Sequence, residues 1–179
     1  IYALIHPELT PINSPYKYLA GVGIAYLLAK NICNKLNYDI SKTTANVLFC
    51  IGTIADMAPL KGANRKWLKE FLPKINSTHN KGIKSIIKKL SIDNIDISTE
   101  DIGYKIAPLI NAVGRISDPH IIINLLTNDS ADSIDILTNE CFEMNKLRKR
   151  ITSIIENEAL EIAINEYNTD SKFLVLTKK

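Results

Sequence analysis

The chain has 179 residues, of which 46% are hydrophobic and 23% are charged, and its formal net charge is +3. This composition is ordinary for a globular protein, and it excludes a disulfide framework because the three cysteines are few and widely spaced. No apolar run is long enough to span a bilayer and no secretory signal is recognisable, so we expect an intracellular protein with no membrane association.

Strand-like runs stand at both ends of the chain, at residues 1–5 and 173–177, and almost everything between them has helical periodicity. A lone strand cannot satisfy its backbone polar groups, and even two strands are marginal. We therefore expect a segment of a longer α/β protein. In this segment the chain is mostly α, with an orphan strand at each end whose sheets lie upstream and downstream.

Closely spaced prolines after the first run predict an extended loop, in which His6 is interpreted as a loop histidine. Apolar periodicity then predicts helices at residues 17–36, 42–52, 64–75 and 81–90. Trp67 fits a core position better than a base-stacking platform. The lysines of the fourth helix indicate a solvated face, with phosphate tracking as the alternative.

A single acid, Asp56, follows the apolar second helix within Ile51-Gly-Thr-Ile-Ala-Asp-Met-Ala-Pro-Leu60. A carboxylate in uncharged surroundings is costly to bury unless it is paired, hydrogen-bonded or bound to a metal. Asp56 is therefore the best candidate for chemistry in the chain. The simpler interpretation is an Asp that caps a helix or turn, or that pairs with Lys61 or Arg65.

Downstream, Ser98-Thr-Glu-Asp101 resembles a capping box and predicts a helix that ends near Pro108. Asn111-Ala-Val-Gly-Arg115 follows. The planar guanidinium of an Arg suits bidentate phosphate contact, although a turn with an exposed Arg is also consistent.

Residues 131–167 form a long amphipathic pattern that fits either a coiled coil or a connector between two domains.

Three stretches, in order, resemble the RecJ-type single-strand-specific exonucleases of the DHH phosphoesterase family. Gly52-Thr-Ile-Ala-Asp-Met-Ala-Pro-Leu60, followed by Gly62-Ala-Asn-Arg65, resembles the fourth motif of that family, whose Asp binds a catalytic metal. Tyr18-Leu-Ala-Gly-Val-Gly-Ile-Ala25 resembles the helix after the Asp-His-His motif, and Ala107-Pro-Leu-Ile-Asn-Ala-Val-Gly-Arg115 resembles the segment after the metal domain.

This resemblance implies a domain order and a site. Residues 1–127 would be the C-terminal part of the DHH metal-binding domain with its following helical segment. Residues 128–168 would be the connector helix, and residues 169–179 would begin a DHHA1-type substrate-binding domain. Asp56 would be a catalytic metal ligand for Mn²⁺ or Mg²⁺, and Asn111 and Arg115 would face the substrate, with Arg115 near a phosphate.

The implied function is metal-dependent 5′-to-3′ hydrolysis of single-stranded DNA in repair and recombination, by a monomer in the cytoplasm or an organellar stroma. A single-strand-binding protein and a helicase would be its partners. With one metal ligand of its own, the isolated segment is expected to be inactive. Three alternatives stay open: another DHH phosphoesterase that acts on oligonucleotides, cyclic dinucleotides or pyrophosphate; a non-catalytic helical nucleic-acid-binding module; and a coiled-coil module.

Overall fold

The computed structural model describes residues 4–93, 96–166 and 173–177, and within these ranges the regular structure is entirely helical. The α-helices are α1 (Gly21–Lys35), α2 (Ala45–Ala55), α3 (Gly62–Phe71), α4 (Lys81–Lys89), α5 (Ala107–Ile116), α6 (His120–Thr127) and α7 (Ala131–Glu166). Short 3₁₀ turns lie at Pro7–Leu9, Ile40–Lys42 and Leu72–Ser77. The prediction of a mostly α segment is confirmed.

An aromatic cluster joins the first three helices. The ring of Trp67 on α3 lies 5.0 Å from that of Tyr26 on α1 and 5.3 Å from that of Phe49 on α2, both edge-on. Trp67 is 7% exposed and Phe49 is fully buried. Edge-to-face aromatic pairs add about 0.5–1.5 kcal/mol each beyond their buried area. The prediction that Trp67 is a core residue is therefore confirmed.

Helices α1 and α2 approach each other closely because Gly52 has no side chain. A Cβ atom at Gly52 would stand 2.8 Å from Cγ1 of Val22, closer than real Cβ contacts allow. The other side of the core is formed by α4, α6 and the first half of α7, where Leu125, Ile134 and Cys141 are buried. Asn80 connects α4 to α6 by donating its side-chain amide to the carbonyl of Leu126 at 2.7 Å.

The predicted capping box is present before α5. The backbone N–H of Asp101 donates to Oγ of Ser98 at 3.1 Å, and the backbone N–H of Ser98 donates to Oδ2 of Asp101 at 3.0 Å. The predicted end near Pro108 is wrong, because the helix continues to Ile116. A π-helical segment, Asp101–Ile106, precedes α5. Its wider turn accommodates the proline ring, which an ordinary α-turn would exclude.

The predicted end strands are not seen in the described residues. Leu4, Ile5 and residues 173–177 have no regular secondary structure, and residues 1–3 lie outside the described ranges. The physical reason is that a strand is defined by hydrogen bonds to a neighbouring strand, and none of the described residues supplies one. The expectation of an α/β parent rests on the strand-like runs in the sequence and on the family resemblance.

The long helix predicted at residues 131–167 is observed as α7, Ala131–Glu166. Its 36 residues span about 54 Å at 1.5 Å per residue. The first half packs against α4, α5 and α6, whereas apolar side chains of the second half are exposed, among them Ile151, Ile154 and Ile155. None of the described helices is both long enough and apolar enough to cross a membrane.

Candidate metal and substrate site

Helix α2 brings Asp56 to the protein surface. Most of its residues are apolar, with Val47, Phe49 and Ile51 among the buried ones, and Asp56 is the first residue beyond its last turn. The chain then reverses through a Schellman motif, in which the N–H of Met57 donates to the carbonyl of Ile54 at 3.0 Å and the N–H of Ala58 donates to that of Thr53 at 3.2 Å. Met57 takes the left-handed conformation, with φ of 53°, at a position where glycine is usual.

The carboxylate of Asp56 is exposed and has no hydrogen bond or ion pair with any residue in the described ranges. The proposed pairing with Lys61 or Arg65 is therefore absent from this structure. Asp56 also stands at the C-terminal end of α2, where the helix dipole disfavours negative charge. An unpaired carboxylate in that position gains most from a cation, so its chemistry fits a metal ligand.

Asp56 lines a cleft of about 660 Å³ between α2, α5 and the start of α6, which we call the α2–α5 cleft. Asn111 and Arg115 lie one helical turn apart on α5, and both line the same cleft. The structure thus brings the three site residues predicted from sequence to one concave surface. The remaining lining residues are Gly52, Ala55, Ile110, Gly114, Pro119, Ile122 and Ile123.

The sequence interpretation placed Asn111 and Arg115 in a segment after a helix, whereas they belong to α5 itself. This difference matters for recognition, because a helix presents residues i and i+4 on one face. The side chain of Arg115 is exposed and makes no ion pair in the described part of the chain. Its guanidinium is therefore available for an anion in the cleft.

Asp56 also lines a second cleft, of about 560 Å³, which we call the α1–α2 cleft. Its wall comes from the loop before α1, including Lys17 and Tyr18, and from Met57 and Pro59 after α2. Lys17 lies 3.7 Å from the carboxylate of Glu8. His6 lines the same cleft and caps the turn Pro7–Leu9 by accepting the N–H of Glu8 at 3.2 Å.

The sequence interpretation missed this second cleft, because its wall comes from two loops that lie far apart in the chain and that periodicity does not connect. A usable signal was nevertheless present. Lys17 and Tyr18 directly precede Leu19-Ala-Gly21, and Met57 directly follows Asp56. Tyr18 is therefore the first residue of one stretch that the resemblance had marked, and Met57 lies within another.

Asp118 directly precedes Pro119, which lines the α2–α5 cleft. Its carboxylate accepts the backbone N–H of His120 at 2.9 Å and contacts Nδ1 of the same residue at 2.7 Å. These hydrogen bonds, the backbone one first, lower the pKa of Asp118 below its ordinary value. Asp118 thereby fixes the start of α6 beside Pro119 and Ile122, two residues that line the cleft.

Across residues 4–93, 96–166 and 173–177, no three side chains of His, Cys, Asp or Glu are grouped so that they could hold a metal ion. Catalytic metal sites for phosphodiester hydrolysis need several oxygen and nitrogen ligands. The described residues thus form no complete site around Asp56, and such a site requires further ligands.

Comparison with known proteins identifies the relatives of this chain. The single-stranded-DNA-specific exonuclease RecJ of Bacillus subtilis is 32% identical over 178 residues, which is 99% of this chain and 22% of that protein. The chain is homologous to a segment of RecJ. No protein-family model matches the sequence. The chain spans less than a third of the length of the curated RecJ relatives that it matches.

Solved RecJ structures have the same fold in the matched part. A crystal structure of exonuclease RecJ bound to manganese superposes with a TM-score of 0.78 at 28% identity, covering 88% of this chain and 39% of the RecJ chain. RecJ of Thermus thermophilus in complex with Mg²⁺ superposes with a TM-score of 0.76 at 28% identity, covering 87% of this chain and 24% of the RecJ chain. The resemblance to RecJ in the sequence is therefore confirmed.

Proposed function

We propose that the chain is part of a metal-dependent exonuclease that hydrolyses single-stranded DNA from its 5′ end in repair and recombination. The observation that carries this proposal is the shared cleft of Asp56, Asn111 and Arg115. Homology to RecJ over 99% of the chain supports the same substrate class. We also propose that residues 1–127 complete a DHH domain, that 128–168 connect two domains, and that 169–179 begin a DHHA1-type domain.

In this proposal Asp56 is a ligand of a Mn²⁺ or Mg²⁺ ion, the metals present in the related RecJ structures. A divalent metal supplies an activated water and neutralises charge on the leaving oxygen. Asp56 contributes one carboxylate at a fixed helix end. Arg115 holds a phosphate by a bidentate contact, and Asn111, one turn earlier on α5, meets a sugar or phosphate oxygen.

The test is a cleavage assay on the intact protein with manganese, using single-stranded DNA labelled at either end. We expect mononucleotides to be released from the 5′ end, with a matched duplex left intact. Release from the 3′ end, or equal cleavage of duplex, would contradict the proposal. The isolated 179-residue chain should show no specific cleavage, because its described residues provide one of the metal ligands required.

The same assay separates the proposal from its alternatives. Preference for dinucleotides, cyclic dinucleotides or pyrophosphate over long strands would favour another DHH activity. Salt-sensitive DNA binding that is unchanged by Asp56→Ala, without cleavage, would favour a binding module.

We further propose a monomer in the cytoplasm or an organellar stroma that works with a single-strand-binding protein and a helicase. Concentration-dependent dimerisation would instead favour a coiled coil through α7.

A further inference from the structure

Asn64, near the start of α3, connects the two loops that border the α1–α2 cleft. Its side-chain amide donates to the carbonyl of Tyr18 at 2.6 Å and to the carbonyl of Pro59 at 3.0 Å. The residue is 1% exposed. Tyr18 belongs to the loop before α1, and Pro59 belongs to the loop that follows Asp56. One buried amide therefore holds both walls of a cleft that Asp56 lines.

A second contact between the loops accompanies this one. The N–H of Ala63 donates to the carbonyl of Pro15 at 2.9 Å. Gly62 permits this approach, because its φ is +51° and a Cβ atom there would stand 2.4 Å from the same carbonyl oxygen. The start of α3 thus contacts the loop before α1 through a backbone hydrogen bond. The side chain of Asn64 adds a hydrogen bond to the loop that follows Asp56.

The loop of Asp56 needs an external support of this kind. Met57 and Ala58 separate Asp56 from Pro59, and Met57 occupies a strained left-handed conformation. The side chain of Asp56 has no partner of its own in the described part of the chain. The position of the carboxylate therefore depends on the end of α2 on one side and on the anchored Pro59 on the other.

We propose that Asn64 is a positioning residue, which clamps the loop of Asp56 to the loop before α1 and so fixes the carboxylate for metal binding. This inference rests on the proposed role of Asp56. Buried polar groups cost free energy unless they are hydrogen-bonded, and the amide of Asn64 is satisfied by one long-range donation, to Tyr18, and one short-range donation, to Pro59. Its Oδ1 atom has no hydrogen-bond partner within the described residues, and the donor N–H groups carry the clamp.

Asn64→Asp tests the clamp, because it keeps the shape of the side chain and removes both donors. In the intact protein we expect a 10- to 100-fold weaker affinity for Mn²⁺, roughly the range typical of residues that orient metal ligands. Binding would be measured by the electron paramagnetic resonance signal of free Mn²⁺, independently of cleavage. Single-stranded DNA affinity without divalent metal should be unchanged, which separates metal positioning from general disruption.

Asn80→Asp is the matched control. Asn80 is also a buried asparagine whose amide joins two elements, by donating to Leu126, but it lies at the junction of α4 and α6 and lines neither cleft. We expect Asn80→Asp to lower the melting temperature without changing Mn²⁺ affinity. Equal Mn²⁺ affinities for the two variants, at equal loss of stability, would overturn the inference.

Asp56→Asn, measured beside these variants, separates the two possible failures. If Asp56→Asn weakens Mn²⁺ binding and Asn64→Asp does not, the clamp fails and the proposed function stands. If Asp56→Asn leaves Mn²⁺ binding unchanged, the role of Asp56 fails, and the inference about Asn64 fails with it. Hydrogen exchange at the amides of Met57 and Ala58 should be faster in Asn64→Asp than in Asn80→Asp.

Discussion

The backbone N–H of Ala58, two residues after Asp56, donates to the carbonyl of Thr53 at 3.2 Å, and this hydrogen bond terminates α2. Helices α1 and α4 end in the same way, with Asn37 and Ser91 at the left-handed position that Met57 occupies after α2. Met57 is less suited to a positive φ than Asn37, because asparagine adopts that conformation far more readily than methionine does. It is also 89% exposed.

Met57→Gly should stabilise the protein by about 0.5–1 kcal/mol, because relief of the left-handed strain exceeds the added entropy of the unfolded chain. Urea unfolding monitored by circular dichroism would measure the change. Asn37→Gly is the control, since it changes the corresponding left-handed residue after α1 and should raise the free energy of unfolding by less. A loss of stability in Met57→Gly that exceeds any loss in Asn37→Gly would show that the side chain of Met57 contributes packing.

Two glycine-to-alanine changes should have opposite signs. Gly52→Ala forces a Cβ atom against Val22 and should destabilise the protein by about 1–3 kcal/mol through overpacking between α1 and α2. Gly114→Ala meets nothing within 4 Å and should stabilise α5 by about 0.5–1 kcal/mol through helix propensity. Thermal unfolding of the two variants tests the packing, and a stabilising Gly52→Ala would contradict it.

Asp101 should make stability depend on pH in the acid range. Its hydrogen bonds from Lys105, first, and then from Ser98 lower its pKa from 3.8 to about 2. A carboxylate whose pKa is lower in the folded state stabilises the fold above the unfolded pKa. That contribution is lost as the pH falls from about 4 to about 2.

Asp101→Asn should therefore cost about 1 kcal/mol at neutral pH through the weakened capping box, and its stability should vary less with pH in that window. Lys105 is half-exposed, so solvent screening reduces its share of this value. Urea midpoints at neutral pH and at several acid values provide the measurement. Parallel pH profiles for the variant and the parent would exclude the capping carboxylate as the cause.

Arg115→Ala should weaken binding of single-stranded DNA and reduce the slope of log affinity against log salt by about 1, because one phosphate contact is lost. Arg115→Lys should keep the salt slope but lower the affinity, since lysine lacks the planar fork. Arg150→Ala, which changes an exposed arginine of α7 outside the α2–α5 cleft, is the control. Identical effects of Arg115→Ala and Arg150→Ala would argue for nonspecific charge attraction.

Periodicity predicted most helices of this chain because their apolar residues recur at helical spacing and face one core. It failed at Pro108, where the rule that proline ends a helix was overridden by the π-helical turn before it. It also predicted strands at the ends, which lack a partner strand in the described residues. A sheet is a property of several segments, so one segment alone cannot reveal it.

The candidate site was predictable only in part. Asp56 could be recognised because it is a lone acid after an apolar helix. Arg115 could be recognised because it ends the segment Asn111-Ala-Val-Gly-Arg115. The clamp by Asn64 was not predictable, because it depends on two carbonyl groups, one of them 46 residues away, that sequence alone does not bring together. Backbone carbonyls are the same at every residue and carry no signal in a sequence.

The most direct test of the metal-site proposal is the affinity of the intact protein for Mn²⁺ in Asp56→Asn, with Asp135→Asn as the control. Asp135 is also exposed but lies on α7, outside both clefts. We expect Asp56→Asn to lose most Mn²⁺ binding and exonuclease activity without a loss of melting temperature, because the side chain is exposed and unpaired among the described residues and its charge is unfavourable at the end of α2. Asp135→Asn should match the parent protein. Full Mn²⁺ affinity and cleavage in Asp56→Asn would contradict the role assigned to this carboxylate.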